Sequence, residues 1–468
     1  MTPIDSLPDD VLLLIFKSHV HDGSRLELDR AWRSLVRVCQ RWRSVVFGSP
    51  GHLDLRLVCT TRTPVRVALD IWPSLPLSVQ YEIDSAGSVD NSIAALERTD
   101  RVREAYLWNI RSPDLEIVFA AMKQPFPELR VLQVGVYDEY GTVLFIPDSF
   151  LGGSAPRLEF LMLSNVLFPG LLKLLFSTTH LVDLYLIDIP HSGYIPPDTM
   201  VTTLSILTSL SRLTLTFESP RSCPDRASRR PSPSTRAVLS VLSRFRFGGV
   251  SEYLEDFVAC IDAPQLSDLY ITFFNDIVFD TPQLIQFIGR TPLPRELEKA
   301  HLIFWDRGAA VNVSRTSGYE SGGFRVGISC RGSDWQLSSL EQVCTSCLPP
   351  LSKLEDLYIH VAPYRQLDWK DNIENGLWLG ILQPFAAVKN LYLSEEFAAC
   401  IAAAMQELVG DRTTEVLPAL QNIYLEEFES SGPVEEGIRQ LVAARQVASC
   451  PIAVSRWANS EKEMIDYY

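Results

Sequence analysis

Along most of the chain apolar residues recur in one arrangement: apolar, two variable residues, apolar, one variable residue, apolar. It begins with Val102/Ala105/Leu107, Leu129/Leu132/Val134, Leu158/Leu161/Leu163 and Leu181/Leu184/Leu186. Leu210/Leu213/Leu215, Leu242/Phe245/Phe247, Leu266/Leu269/Ile271 and Leu297/Ala300/Leu302 follow. Leu354/Leu357/Ile359, Val388/Leu391/Leu393 and Leu420/Ile423/Leu425 complete the series. Successive triplets lie roughly 23–34 residues apart, except for one interval, from 297 to 354, that is about double. Inside that interval Phe324-Arg325-Val326-Gly327-Ile328-Ser329-Cys330 alternates with a period of two, and this strand fills the missing place.

This spacing and signature predict leucine-rich repeats. Each repeat supplies one short strand, and stacked neighbours bury the leucines that no single repeat could bury. Segments between strands, such as Leu171–Phe176 and Leu284–Phe287, have helical periodicity. Three residues past the last leucine, where regular repeats keep an asparagine, stand Ile110, Val166, Ile189, Phe274 and Phe428. Without a side-chain amide ladder there, the repeats should turn less regularly. The predicted fold class is α/β: an irregular leucine-rich-repeat solenoid over residues 101–430 with a parallel β-sheet lining its concave face, closed by a cap and tail at 431–468.

The first fifty residues have a different period. Ser6 can cap a helix, Pro8 suits a first turn, and Asp9 and Asp10 complement the positive end of the helix dipole. Val11, Leu12, Leu14, Ile15 and Phe16 make an apolar surface too wide for one stripe. His19 to Ser24 interrupts it, with Asp22-Gly23 as a turn. A second helix from about Glu27 puts Leu28, Trp32, Leu35 and Cys39 on one face. Arg37, Gln40, Arg41 and Arg43 surround Trp42, Val45 and Val46, and Ser49-Pro50-Gly51 closes the unit. A helical piece this small hides only about 60% of its unfolded surface, so part of the apolar face must meet a partner or the rest of the chain.

Leu7-Pro8-Asp9-Asp10-Val11-Leu12-Leu13-Leu14-Ile15-Phe16, then Val38-Cys39-Gln40-Arg41-Trp42-Arg43 and Val46-Phe47-Gly48-Ser49-Pro50, resembles an F-box in order and spacing. The resemblance implies a three-helix F-box domain over residues 1–55, followed by a transition and first irregular repeat at 56–100. It further implies a Skp-type adaptor as partner, and through it a cullin. Leu7, Pro8, Leu12, Ile15, Phe16, Val38, Cys39, Trp42 and Val45 would then lie at or under the adaptor contact. Later stretches are similar to a large family of F-box proteins of mushroom-forming fungi. Among them are Glu252-Tyr253-Leu254-Glu255-Asp256, Asp280-Thr281-Pro282-Gln283-Leu284 and Cys330-Arg331-Gly332-Ser333-Asp334-Trp335-Gln336. That likeness supports the architecture and names no ligand.

Because strand side chains alternate, the variable residue between the last two apolar positions of a triplet points away from the core. It is Tyr106, Tyr185, Tyr270, Tyr358, Tyr392 or Tyr424 in six of the eleven triplets. Two residues earlier stand Glu104, Asp183, Asp268, Asp356, Asn390 and Asn422. Tyrosine suits exposed strand positions and stacks across a ladder. It also offers a stiff, amphipathic contact surface for a partner protein, and both readings stand together. On the second, Tyr106, Asp183, Tyr185, Asp268, Tyr270, Asp356, Tyr358, Tyr392 and Tyr424 form a partner-binding face, whose carboxylates favour a ligand carrying lysine or arginine.

Composition narrows the function. Apolar residues make up 46% and charged residues 21% of 468, the balance of a chain with a large core. A formal charge of −15 gives no general affinity for nucleic acid or anionic membrane. No apolar run is long enough for a membrane span, and Met1-Thr2-Pro3-Ile4-Asp5 does not open like a secretory signal. Nine scattered cysteines read as reduced thiols, which places the chain in cytoplasm or nucleus. Residues 221–236 are basic, rich in proline and serine, and read as a loop with a possible phosphate acceptor at Ser232-Pro233, and 314–323 reads as a second loop.

No phosphate-binding loop, nucleophile elbow or His-Glu-x-x-His occurs. Cys344 and Cys347 are a pair without two further zinc ligands, and His19 and His21 sit in a turn. No cofactor, metal or catalytic constellation is expected, and the chain is not expected to be an enzyme. The sequence therefore predicts a substrate-recognition subunit of a cullin-RING ubiquitin ligase, acting by protein–protein contact. The alternative is a repeat-based binding protein outside any ligase, with the F-box-like helices as an N-terminal cap.

Overall fold

The computed structural model describes residues 7–21, 31–72, 74–81, 88–109, 112–136, 143–219, 236–274, 281–293, 298–314, 323–329, 333–346, 348, 351, 353–362, 375–408, 412, 414–426 and 433–457. The expected loops at 221–236 and 314–323 lie, but for their edge residues, outside them, as do Leu28, Asp22-Gly23 and Cys347. Chain contacts divide the protein into two units, Met1–Gly193 and Tyr194–Tyr468.

In the first unit, helix Asp9–His21, a short helical segment at 31–35 and helix Gln40–Gly48 precede a parallel sheet, to which a two-stranded pair, Leu144–Phe145 with Val166–Leu167, is added. His19 and His21 continue the first helix rather than turning. The strands Leu57–Thr60, Leu77–Tyr81, Val102–Trp108, Val131–Gly135, Phe160–Ser164 and Asp183–Ile189 are parallel and lie side by side in chain order. Helices Val65–Ile71, Val89–Leu96, Ser112–Ala121 and Leu171–Ser177 fill four of the crossovers. Asn109, Asn165 and Asp188 adopt left-handed backbone near the strand ends, with φ of 52°, 53° and 51°. Asn and Asp tolerate that conformation better than other residues with a Cβ. The turn chemistry missing from the expected position thus stands one residue earlier in these three repeats.

The second unit opens with parallel strands Arg212–Phe217, Arg244–Gly249 and Asp268–Phe274. The chain then departs from a simple repeat. Lys299–Trp305 pairs with Asp356–Val361, Gly308–Ser314 returns antiparallel, and Gly323–Ser329 settles beside Asp268–Phe274. The strand expected at 324–330 forms, but a hairpin separates it from the next repeat and reverses the spatial order. Only Asp306 and Arg307 link the hairpin strands. Gly308 is required there, since a Cβ would collide with the Ile328 carbonyl and the Trp305 ring. Asn390–Leu393, Asn422–Glu426 and Ala453–Trp457 extend the parallel sheet beyond Asp356–Val361.

Every triplet becomes a strand, and its apolar members form the core. All described triplet residues up to Leu393 are at most 5% exposed. The last triplet loosens at Leu425, which is half-buried. Inter-strand helices pack on one another in sequence, for example Ser251–Ala259 on Pro282–Arg290 and Glu395–Gln406 on Pro433–Val447.

A buried carboxylate supplies one of the polar contacts that link adjacent repeats in this helical layer. Thr281 precedes helix Pro282–Arg290 without a side-chain cap bond. The carboxylate of Glu255, a buried residue of the preceding helix, instead accepts from the Gln283 and Leu284 amides at 2.9 and 2.8 Å. Its charge meets the positive helix end. Glu255→Ala should destabilise the unit by on the order of 2–3 kcal/mol, with Glu255→Gln intermediate, read as lowered thermal and urea midpoints.

Candidate interaction surfaces

The N-terminal helices have two apolar faces with different fates. Leu12 and Phe16 are fully buried, and Phe16 packs on Trp42 with ring centroids 4.7 Å apart. Arg41 fixes the start of the first helix, bonding the Leu7 carbonyl and pairing with Asp9 at 2.6 Å. On the other side Trp32, fully buried, meets Phe47 and Trp72 at 6.1 and 5.1 Å and donates its indole N–H to the Arg56 carbonyl. The helices are thereby sealed onto the residues flanking the first strand.

What remains uncovered is apolar surface on the first helix and in the turn before the third. Leu14 is 68%, Val38 59%, Ile15 42% and Val11 38% exposed. Pro8 and Cys39 are exposed too, while Leu7, Trp42 and Val45 are half-buried. Cys39 does not continue the second helix. Its backbone is extended, and its sulfur accepts from the Trp42 amide at 3.4 Å, so it caps the third helix. Of the nine residues singled out from sequence, Leu12 and Phe16 lie beneath this surface; the other seven reach it to varying extents. Val11 and Leu14, also at the surface, belong to the same helical run and were recognisable only as part of its wide apolar band.

In the first unit, Tyr106, Gln133, Met162 and Tyr185 stand in register across four strands. Tyr106 is buried, and Tyr185 stacks on Phe160 at 5.3 Å. The carboxylates beside them serve the fold. Glu104 accepts from Ser78 at 2.9 Å and pairs with Arg56, which also binds Asp54; Asp183 is 5% exposed. Burial alone would depress the Arg56 guanidinium, but Glu104 and Asp54 outweigh it and hold it above its ordinary value.

In the second unit the outward row reads Thr214, Arg246, Tyr270, Arg325, Asn312, His301, Tyr358, Tyr392, Tyr424 and Ser455. Its end is one continuous stack. His301 lies on Tyr358 at 4.5 Å, Tyr358 on Tyr392 at 4.2 Å and Tyr392 on Tyr424 at 4.5 Å, all within 10° of parallel. Trp457 from the last strand covers Tyr392 and Tyr358 edge-on at 5.4 and 5.9 Å. The acids are engaged here too. Asp356 accepts from Asn390 at 2.7 Å, which accepts from Asn422 at 2.8 Å. Asp268 accepts from the Gly323 amide at 3.1 Å and lies 3.6 Å from Arg244. The attraction for a cationic ligand expected from sequence is weakened, because these groups already hold the ladder together. The row also contains Arg246, His301 and Arg325, which the tyrosine pattern passed over although the same alternation rule points to them.

Residues 4–50 match the family described as F-box-like, so the N-terminus carries an F-box-like domain, a type of interaction module. Among solved structures, the chain is similar to the leucine-rich repeat-containing protein LegL7 from Legionella pneumophila. The match has 12% identity, covers 83% of this chain and 97% of that one, and has a TM-score of 0.28. No curated protein matches the chain. Among the described residues no helix is long and apolar enough to cross a membrane.

The stack has a pH signature. Burial, followed by the neighbouring His360 and Lys299, lowers the His301 pKa from 6.5 to about 3, and the two histidine rings share a hydrogen bond of 3.3 Å. Between those values the unfolded chain binds a proton that the folded chain refuses. Stability is therefore full above pH 6.5 and falls as pH drops toward 3, by up to about 1.4 kcal/mol per pH unit. His301→Phe keeps a stacking ring without the titration. It should flatten the acid limb of the urea midpoint measured against pH; an unchanged limb would remove His301 as its source.

Proposed function

We propose that this protein is a substrate-recognition subunit of an SCF-type cullin-RING E3 ubiquitin ligase. The observation carrying the proposal is the exposure of Val11, Leu14, Ile15 and Val38, within the segment that matches F-box-like domains. Full burial of a large aliphatic side chain is worth about 1.5–3 kcal/mol, and these four, 38–68% exposed, would each regain a part of that under a second subunit. Domains of this type bind Skp-type adaptors, and the adaptor in turn would join the chain to a cullin. Residues 1–55 would form the docking module, 56–100 a transition, 101–430 the partner-holding repeats and 431–468 the closing cap. Leu7, Pro8, Ile15, Val38, Cys39, Trp42 and Val45 would touch the adaptor, while Leu12 and Phe16 would support that surface from beneath. Tyr185, Tyr270, Tyr392 and Tyr424 would offer contact area to the protein that is held, with the buried Tyr106 and Tyr358 supporting them from within the row and Asp183, Asp268 and Asp356 fixing the ladder around them. The chain would contribute proximity rather than chemistry of its own. It would act in ubiquitin-dependent degradation in cytoplasm or nucleus, without nucleic acid or membrane as partner.

The Trp32–Phe47–Trp72 contact favours a second reading, in which the helices merely cap the repeats. Surface substitutions separate the two, because truncating Phe16 would open a hole in the module and confuse unfolding with lost contact. Ile15→Asp combined with Val38→Asp should reduce capture of a Skp-type adaptor by on the order of a hundredfold, without lowering the melting temperature. Normal capture by that folded variant, or no capture by the folded native chain, leaves only the cap reading.

A further inference from the structure

Where the strands of the first unit begin, a pocket of about 250 Å³ opens. Three arginines and three carboxylates line it, together with the half-buried Pro76 and Val131. Two of the arginines are already matched. Arg56 pairs with both Asp54 and Glu104, and Arg130 lies 3.0 Å from Glu159. Glu104 also accepts from the Ser78 hydroxyl at 2.9 Å, and at 9% exposure it is a fixed wall of the pocket. The third arginine, Arg103, is half-buried and pairs with no carboxylate among the described residues. All three acids in the pocket are therefore committed elsewhere, and one cation is left over.

The strand register explains why Arg103 stands there. Leu77 pairs with Val102 and Ser78 with Glu104, so Arg103 is one residue too many for its partner strand. A bulge of this kind re-aims a side chain, and bulges are over-represented beside functional sites. The backbone of Arg103 still joins the ladder, its carbonyl accepting from the Arg130 amide at 2.8 Å. Glu104 and Val131 stand in register two residues before Tyr106 and Gln133, which puts the pocket on the same sheet face as the outward row.

Size and charge narrow what fits. Sites for whole small molecules usually enclose about 300–1,000 Å³, so this pocket suits one residue of a chain better than a cofactor. One uncompensated cation calls for one negative charge. A doubly charged phosphate would be repelled by the three carboxylates of the lining.

We propose that this pocket receives a single carboxylate-bearing residue of a partner protein. The carboxylate, from a chain terminus or from an acidic side chain, pairs with the Arg103 guanidinium, whose planar fork suits it. Pro76 and Val131 meet the aliphatic part of the same residue. The inference rests on reading the sheet face as the surface that holds a partner, but not on adaptor docking.

The test uses the full chain and short labelled peptides of one neutral sequence, followed by fluorescence anisotropy. One peptide ends in a free carboxylate and one in an amide. Two further amidated peptides carry an internal glutamate or an internal phosphoserine. The free-carboxylate or the glutamate peptide should bind at least about tenfold more tightly than the neutral amide, and the tighter of the two identifies the source. Arg103→Gln should lose that preference and Arg103→Lys should keep part of it, with circular dichroism unchanged. Arg157→Gln, at an exposed arginine outside the pocket, should bind like the native chain. Equal binding of all four peptides by the native chain, or an undiminished preference in folded Arg103→Gln, overturns the proposal. So does tightest binding of the phosphoserine peptide, or an equal loss in Arg157→Gln. Adaptor capture by the same proteins is a separate readout: its absence with peptide binding intact would sink the ligase reading and leave the pocket standing.

Discussion

The structure depends on burying each strand's apolar face against the helical layer and its neighbours. Leu161 is useful only because Leu132 and Leu184 stand in register on either side of it. Once that face is committed, alternation dictates the other, and every residue between two leucines must project outward. The outward rows, whether tyrosine, arginine or amide, follow from inward leucines. One carboxylate and two amides illustrate how tightly the two are coupled: Asp356, Asn390 and Asn422 bond one to the next across strands, so the outer face is itself ordered there.

The N-terminal module obeys the opposite logic. It has more apolar surface than its size can hide, and the excess is divided between two places. Trp32 and Phe47 go to the residues around the first strand, with Trp72. Leu14, Ile15 and Val38 are left to solvent. On the proposed reading, these exposed aliphatic groups are the surface on which a second subunit docks.

Much of this was legible from residue order. All eleven triplets become strands, because a leucine repeat with this spacing has few other ways to bury itself. The hairpin before Gly323–Ser329 was not legible. Ala309, Val311 and Val313 alternate like any strand, and nothing local tells antiparallel from parallel pairing. Nor did the helical pattern separate Leu12 and Phe16 from Leu14 and Ile15, since a wide apolar band does not say which edge meets its own chain. Cys39 was assigned to a helix face by spacing, yet the chain turns there and uses its sulfur as a cap. Arg246 and Arg325 of the outward row were within reach of the rule that found the tyrosines, but a repeated aromatic draws attention that a single arginine in one repeat does not.

The central proposal is that the exposed apolar residues of the first helix and of the turn before the third form a docking surface for a second subunit. Hydrogen–deuterium exchange on the full chain, with and without a Skp-type adaptor, addresses it most directly. The account predicts slowed exchange concentrated in helices Asp9–His21 and Gln40–Gly48 and the Val38–Cys39 turn, with the strands unaffected. Unchanged exchange in those helices at saturating adaptor, or protection confined to the sheet face, would contradict it.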